Sequence, residues 1–186
     1  MILIAVPYVD TVVPEVFAAI YNQDPFGHES VLRPFGEEYG IDAKRNGIAE
    51  LALDLGADYV LMVDSDTVIP THALNRLLEP AGDVVMGYYP LKTDESMTNM
   101  VRAGAASYER MTMAELGDSD GRIPAKAGGF GCTMIRAEVL RSIPKPWFSF
   151  DHHSEDYRFC RLAIEHGFSV EVDAGVRCRH AVTRFL

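Results

Sequence analysis

The first ninety residues alternate between short apolar runs and segments with helical spacing, and this alternation limits the possible folds more than any other feature. Four apolar runs predict strands, at residues 2–8, 29–36, 59–65 and 83–90. Three segments of helical periodicity lie between them, at residues 14–23, 41–56 and 71–80. This β-α-β-α-β-α-β order predicts an α/β fold with a mostly parallel sheet and helices on both faces.

The second half of the chain is less regular. Residues 91–125 carry scattered methionines and polar clusters without a steady period, which predicts a long functional or mobile loop. A glycine-broken strand at 126–136 and a final strand at 168–180 are predicted, together with helices at 137–143 and 154–167. The length of 186 residues, without repeats or low-complexity linkers, predicts one minimal domain over 1–186.

Charge and cysteine content exclude some classes of protein. The formal net charge of -10 and the absence of a basic run argue against DNA or RNA as the main partner. Three cysteines without a C-x-x-C pair, and no secretory context, predict reduced thiols in a cytoplasmic protein. The apolar run at the N-terminus is too short to span a membrane and lacks the marks of a leader peptide.

Two acids follow the most hydrophobic run: Asp64 and Asp66, with Ser65 between them. Alternate residues of a strand share a face, roughly 6–7 Å apart, so the two carboxylates could hold a hard divalent cation and through it a diphosphate. A D-x-D triplet also arises by chance, and aspartate is common at strand ends. The position favours a functional role, because ligands bind at the carboxyl ends of such strands.

The turn after the first strand, VPYVDTVVPE, contains neither G-x-G-x-x-G nor a P-loop. Common NAD enzymes, kinases and ATPases are therefore disfavoured. A nucleotide bound to this sheet would need its phosphate charge handled by something other than a glycine cradle.

Arg45 lies on the apolar face of the helix predicted at 41–56, near its N-terminal end. A cation there opposes the helix dipole, which favours anions at that end. An anion is therefore expected beside it, either a bound diphosphate or an acidic side chain. The second alternative is an internal salt bridge to Asp42 or Asp64.

Asp156 lies at the centre of the apolar face of the helix predicted at 154–167, and Glu155 lies nearer the edge of that face. First-turn acids complement the helix dipole, with Ser154 as the cap. That explanation accounts for an acid in the first turn but not for one directed inward. An inward carboxylate suits the work of a general base.

Three further features have two interpretations each. His180 ends the last predicted strand and is a weak signal by itself. The glycines of 128–132 permit either a close approach of a ligand or a bulge. Trp147 and Phe148 could stack on a sugar or cover the core.

Four motifs in the correct order resemble a known family. They are AKRNGIAELAL…GADYVLMVDSDTVIP, DVVMGYYP, GGFGCTMIRAEVL and SEDYRFCRLAIEHGFSVEVDAGVRCRH. Over nearly the whole chain they are similar to nucleotide-sugar glycosyltransferases of the GT-A type, in the broad family 2 group. The likeness is greatest to small stand-alone enzymes of phage and prophage genomes. It implies a Rossmann-like GT-A fold with a nucleotide-binding half at 1–90 and an acceptor-binding, catalytic half at 91–186.

The resemblance also implies residue roles. The metal, Mn²⁺ or Mg²⁺, would be bound by Asp64, Asp66 and His180. The nucleotide sugar would be contacted by Pro7, Tyr8, Asp10, Arg45, Asp64, Ser65 and Gly129. The catalytic residues would be the "ED" pair, Glu155 and Asp156, with Asp156 deprotonating the acceptor hydroxyl in an inverting transfer.

The activity that the resemblance implies is a metal-dependent, hexosyltransferase-type glycosyl transfer. The donor would be a nucleoside diphosphate sugar, with a UDP-sugar favoured, and the acceptor a hydroxyl of a glycan, protein or small molecule. A sugar nucleotidyltransferase is an alternative, but it needs a glycine-rich basic loop that VPYVDTVVPE lacks. A non-catalytic nucleotide-sugar or glycan-binding module is a second alternative, and it has no use for an inward Asp156.

Overall fold

A computed structural model of the chain describes residues 1–24, 28–36, 40–104, 109–151 and 153–181. Its strands are β1 Ile2–Pro7, β2 Ser30–Phe35, β3 Tyr59–Val63, β4 Thr67–Val68, β5 Val84–Tyr88, β6 Met97–Arg102, β7 Arg110–Thr112, β8 Arg122–Gly128, β9 Cys132–Arg136, β10 Val170–Arg177 and β11 Arg179–His180. Its helices are α1 Pro14–Tyr21, α2 Ile41–Asp54, α3 Ala73–Leu78, α4 Met113–Gly117, α5 Ala137–Ser142 and α6 Glu155–Glu165.

Nine of the described strands form one twisted sheet in the order β2-β1-β3-β9-β5-β10-β8-β6-β7. β1 pairs in parallel with β2 and β3, and β5 pairs in parallel with β10. Three strands, β7, β8 and β9, run opposite to the other six of the nine. The sheet is therefore mixed but mostly of one direction, and the predicted α/β class is confirmed.

Helices cover both faces of this sheet, as the sequence predicts. Side chains alternate along β1, so that Leu3 and Ala5 join one apolar cluster, while Ile2 and Ile4 join the other. The first cluster includes buried residues of α2, α5 and α6, and the second includes those of α1 and α3. Each fully buried leucine, isoleucine or valine side chain stabilises the fold by about 1.5–3 kcal/mol.

The prediction of a loop over 91–125 is wrong in its secondary structure, because this segment contains β6, β7, α4 and the start of β8. Four consecutive residues of β6, from Thr98 to Val101, are buried, so the strand has no alternation of polar and apolar residues. Register shifts in its pairing with β7 and β8 disturb the period further. These two effects hide the strands from a reading based on periodicity.

The predicted glycine-broken strand at 126–136 is also two strands. β8 and β9 occupy separate positions in the sheet, and Gly129 and Gly131 lie in the connection between them. Trp147 and Phe148 are buried in the core, with the Trp147 indole nitrogen donating to the Leu140 carbonyl at 2.9 Å. They thus cover the core, which was the second of their two interpretations.

No helix in the described ranges has both the length and the apolar character needed to cross a membrane. Cys132, Cys160 and Cys178 are buried and unbridged.

Candidate functional site

A cavity of about 520 Å³ opens at the carboxyl ends of β1 and β3. One wall comes from the residues that end or follow these two strands: Pro7, Tyr8, Val9, Asp64, Ser65 and Asp66. The other wall comes from the end of β2 and the start of α2: Gly36, Gly40, Ile41 and Lys44. We name this space the first cavity. It lies at the edge of the sheet where ligands are expected.

The turn that carries Asp64 and Asp66 is held by main-chain hydrogen bonds from three other segments. Asp64 N donates to Gly131 O at 3.1 Å, Val13 N donates to Ser65 O at 3.1 Å, and Ala181 N donates to Asp66 O at 2.7 Å. The position of both aspartates is therefore set by the backbone of the surrounding loops.

Arg45 is only 3% exposed. It lies between two pairs of acidic residues, Asp64 with Asp66 and Glu155 with Asp156. Its Nη2 donates to Asp64 Oδ1 at 3.1 Å, and its Nη1 donates to Glu155 Oε1. Asp156 Oδ2 lies 4.0 Å from Nη1. Burial lowers the pKa of Arg45, but the three carboxylates raise it more, so the net pKa is raised and the guanidinium stays charged. The structure thus contains the internal salt bridge to Asp64 that the sequence left open.

Glu155 is the more deeply buried acid of its pair, contrary to the prediction that it lies nearer the edge. Its side chain is 6% exposed, against 13% for Asp156. Helical periodicity places both residues correctly on α6, but it does not include Arg45, which reaches Glu155 from α2. Burial raises the pKa of Glu155 although Arg45 opposes the effect.

Asp156 lines a second cavity, of about 350 Å³, whose other walls are Tyr89, Leu91, Asn99, Arg110, Gly129, His153, Ser154 and Tyr157. Asp156 Oδ1 accepts from Ser154 Oγ and from the Tyr157 backbone nitrogen at 2.8 Å. Ser154 therefore fixes the carboxylate and does not cap the helix with its side chain. These bonds to Oδ1 leave Oδ2 as the oxygen that can meet a ligand.

Gly129 permits a close approach in this second cavity. A β-carbon at this position would lie 2.7 Å from the Tyr89 hydroxyl oxygen and 3.6 Å from Asp156 Oδ2. The Gly129 carbonyl accepts from Asn99 Nδ2 at 3.1 Å, and the Tyr89 hydroxyl accepts from Gly131 N at 3.2 Å. A side chain at position 129 would therefore occupy the space beside the carboxylate.

Asp66 faces a third cavity, of about 670 Å³, that includes Lys92, Arg177, Arg179 and His180. Lys92 Nζ lies 2.7 Å from Asp66 Oδ2. The His180 ring packs edge-on against Tyr89, with ring centroids 4.6 Å apart. Burial lowers the pKa of His180, and Lys92 lowers it further against the pull of Asp66, so the imidazole is neutral near pH 7.

The carboxylates of Asp64 and Asp66 are of the type that Mn²⁺ and Mg²⁺ prefer, and the His180 imidazole would add a nitrogen ligand. In the residues that the structure describes, however, no three His, Cys, Asp or Glu side chains are assembled as a ligand cluster. Arg45 and Lys92 each engage one carboxylate oxygen. Any bound metal would thus draw further ligands from a diphosphate or from water.

The structure distributes the predicted nucleotide-sugar residues over several places. Four of the seven line the first cavity: Pro7, Tyr8, Asp64 and Ser65. Asp10 is exposed and is not among the lining residues, and Arg45 lies behind Asp64. Gly129 lies beside the base candidate in the second cavity.

Sequence reasoning missed Tyr89, Lys92 and Arg110, which line the second and third cavities. Tyr89 follows β5 directly, so its place at a strand's carboxyl end was a usable signal. Lys92 and Arg110 belong to the segment that was predicted as a loop, and no pattern marked them.

Several solved structures resemble this fold. A197 from STIV superposes with a TM-score of 0.70 at 19% identity, over 97% of this chain and 85% of that one. GalNAc-T7 with UDP, GalNAc and Mn²⁺ gives 0.69 at 10% identity, over 98% of this chain and 43% of that one. TarS 1–349 from S. aureus in complex with UDP-GlcNAc gives 0.59 at 15% identity, over 100% of this chain and 59% of that one.

The chain thus spans less than half of that GalNAc-T7 chain and about three fifths of the TarS chain. At these identities the likeness establishes the fold, which is the predicted GT-A fold. No curated protein matches the sequence. The family described as "Glycosyltransferase like family 2" matches residues 2–186, and the chain therefore belongs to that family and is a glycosyltransferase.

Proposed function

We propose that this enzyme transfers a sugar from a nucleoside diphosphate sugar, with a UDP-sugar favoured, to a hydroxyl acceptor, with inversion and with a divalent metal. The observation that carries the proposal is the bridge through Arg45, which joins Asp64 of the first cavity to Glu155, the neighbour of Asp156 in the second. Donor and acceptor would then occupy adjacent cavities. The structures of GalNAc-T7 and TarS, which contain UDP and UDP-GlcNAc, support the choice of a UDP-sugar.

The first cavity is the proposed donor site. Its volume of about 520 Å³ lies within the range of nucleotide and cofactor pockets, roughly 300–1,000 Å³. The Tyr8 ring supplies an aromatic surface for the base, and Lys44, whose Nζ donates to Gly36 O at 3.2 Å, supplies positive charge for phosphates. All its lining residues come from 7–66, which supports a nucleotide-binding half over 1–90.

Asp64 and Asp66 would hold the metal, with His180 as a further ligand. When bound, the cation would neutralise the charge that develops on the departing diphosphate. Arg45 fixes the orientation of Asp64 through Oδ1, and the main-chain bonds of the turn fix both aspartates at the donor site.

Asp156 is the proposed general base. Oδ2 would take the proton of the acceptor hydroxyl while that oxygen forms a bond to the anomeric carbon. The bond from the anomeric carbon to the diphosphate breaks, and the nucleoside diphosphate leaves with the electron pair. Because the acceptor attacks from the side opposite the diphosphate, the transfer inverts the configuration. Ser154 and the Tyr157 backbone nitrogen hold Oδ1, so the carboxylate presents a fixed oxygen to the acceptor.

The first test is a calorimetric titration with UDP, GDP and CDP, each with and without Mn²⁺. We expect UDP to bind in a metal-dependent way, and Asp66→Asn to weaken that binding at least about tenfold, because a carboxylate ligand is lost. Asp118→Asn removes an exposed acid at the end of α4 and is the matched control, for which we expect wild-type affinity. The proposal fails if no nucleotide binds in a metal-dependent way.

A further inference from the structure

Arg110 is a cationic side chain that lines the second cavity together with Asp156. Its Nη1 donates to the Thr98 carbonyl at 3.3 Å, and its guanidinium carbon lies 5.8 Å from the centre of the Tyr157 ring. These contacts orient the guanidinium, but no carboxylate of the described residues lies within 4.0 Å of its nitrogens.

Arg110 differs in this respect from the other arginines that the structure describes. Most have a carboxylate within 4.0 Å, namely Arg45, Arg76, Arg102, Arg122, Arg136, Arg141, Arg158 and Arg161. Those without one are exposed to solvent, except Arg110, which is half-buried. The exposed ones are Arg33, Arg177 and Arg179. Even partial withdrawal of an unpaired guanidinium from water is unfavourable, and in a chain of net charge -10 carboxylates are plentiful, so the missing counter-ion needs an explanation.

A ligand of suitable charge would supply that counter-ion. The second cavity has a carboxylate, Asp156, and a guanidinium, Arg110, in one space of about 350 Å³. The carboxylate would accept from a hydroxyl, while the planar fork of an arginine binds a phosphate or carboxylate in two parallel hydrogen bonds. Neutral hydroxyl compounds satisfy the first group but leave the guanidinium charge unmatched.

We propose that the acceptor is an anionic hydroxyl compound, whose phosphate or carboxylate group binds Arg110 while its hydroxyl meets Asp156. This proposal rests on the proposed function, because it takes the second cavity as the acceptor site. It adds the chemical class of the acceptor, and it assigns Arg110 the role of a specificity-determining residue.

Three small probes test it: sn-glycerol 3-phosphate, D-glycerate and glycerol, which share a hydroxyl and differ in the charged group. Each is titrated against the enzyme by saturation-transfer difference NMR, with saturating UDP and Mg²⁺ to fill the donor site. At least one anionic probe should bind about tenfold or more tightly than glycerol. The comparison of the phosphate with the carboxylate identifies which anion is preferred.

Variants assign the effect to Arg110. Arg110→Gln should abolish the preference for the anionic probe, and Arg110→Lys, which keeps the charge, should retain part of it. Arg102→Gln is the matched control, because Arg102 lies on the neighbouring strand β6, is paired with Glu109 and Glu115, and lies outside the second cavity. It should bind the probes as the wild type does.

Equal binding of glycerol and the anionic probes to the wild type overturns the inference, as does failure of both anionic probes to bind. Equal binding of an anionic probe by Arg110→Gln and the wild type also overturns it. The wild-type comparison keeps the test decisive even if Arg110→Gln fails to fold. UDP binding in the same samples distinguishes failure of the proposed function from failure of the acceptor proposal. If UDP binds with metal and the probes show no preference, only the acceptor class is wrong.

Discussion

The two acidic pairs at the edge of the sheet, Asp64 with Asp66 and Glu155 with Asp156, reach the same arginine from different elements. In each pair one acid bonds to Arg45 and the other faces a cavity beyond it. The surroundings differ, since the side chains of the first pair are 29% and 35% exposed and those of the second 6% and 13%. One buried cation thus links an acid of each pair, while Asp66 pairs with Lys92 and Asp156 keeps Oδ2 towards the second cavity.

The largest expected effect comes from Asp156, the acid of α6 that faces the second cavity. Asp156→Asn should lower the rate of UDP-sugar hydrolysis by about 10²–10⁴-fold, because the proposed general base is lost, while UDP affinity with Mn²⁺ stays the same. Hydrolysis is followed by a coupled assay for released UDP, since water can serve as the acceptor. Unchanged turnover would remove Asp156 as the base.

Removal of Arg45, which contacts an acid of each pair, should lower the stability of the fold. Arg45→Met should lower the free energy of unfolding by about 3–5 kcal/mol, because Glu155 is left buried without its partner. Urea denaturation measures this loss. Arg161→Met is the control, since Arg161 is 46% exposed, and its ion pairs with Asp151 and Glu165 should contribute about 1 kcal/mol or less.

The double variant Arg45→Met with Glu155→Leu sharpens the same point. It removes both charges together, so it should be more stable than Arg45→Met alone. If the two substitutions simply add their losses, Arg45 and Glu155 do not act as a pair.

Local patterns predicted the pieces of this site but not their partners. The end of β3 and the inward direction of Arg45 follow from hydrophobic periodicity, which depends only on residues near in sequence. The bond from Arg45 to Glu155 joins residues 110 apart in sequence, and such a contact depends on how α2 and α6 pack. The edge position predicted for Glu155 was wrong for that reason.

The second half of the sheet was missed for a different physical reason. β6 is buried on both faces and pairs with shifted register, so neither alternation nor a clear apolar run marks it. The cation of the second cavity, Arg110, begins β7 and was lost together with that strand. Of the predicted site residues, Pro7, Tyr8, Asp64, Ser65 and Asp66 line the first cavity, whereas Asp156 and Gly129 line the second. The partners of Asp156 in the second cavity could not be predicted from local patterns.

A smaller effect tests the donor side alone. A β-carbon at Gly36 would lie 2.5 Å from the Tyr8 ring, so Gly36→Ala should displace that ring from the first cavity. UDP affinity should fall about 3- to 10-fold, which is the scale of one lost aromatic contact. Gly117→Ala is the matched control, because nothing lies within 4 Å of a β-carbon there. Calorimetry measures both, and equal affinities would exclude Tyr8 from the nucleotide site.

The smallest effect concerns Glu115, a first-turn acid that lies away from the three cavities. Glu115 of α4 accepts from the Thr112 backbone nitrogen at 2.8 Å and from Thr112 Oγ1 at 2.9 Å, and it pairs with Arg102. The bonds from Thr112, and then that from Arg102, lower the pKa of Glu115 from 4.5 to about 2. Because the folded pKa is the lower one, the stabilisation is complete above pH 4.5 and is lost as the pH falls towards 2.

Glu115→Gln should therefore lower the thermal midpoint by about 1–3 °C at pH 7, and the difference from the wild type should vanish towards pH 2. Calorimetric scans across this pH range measure it. UDP-sugar hydrolysis should be unchanged, because this carboxylate serves its own helix and borders none of the three cavities of the site. A loss of hydrolysis as large as that of Asp156→Asn would mean that first-turn acids act here through helix structure, and the distinction between positioning and reacting acids would fail.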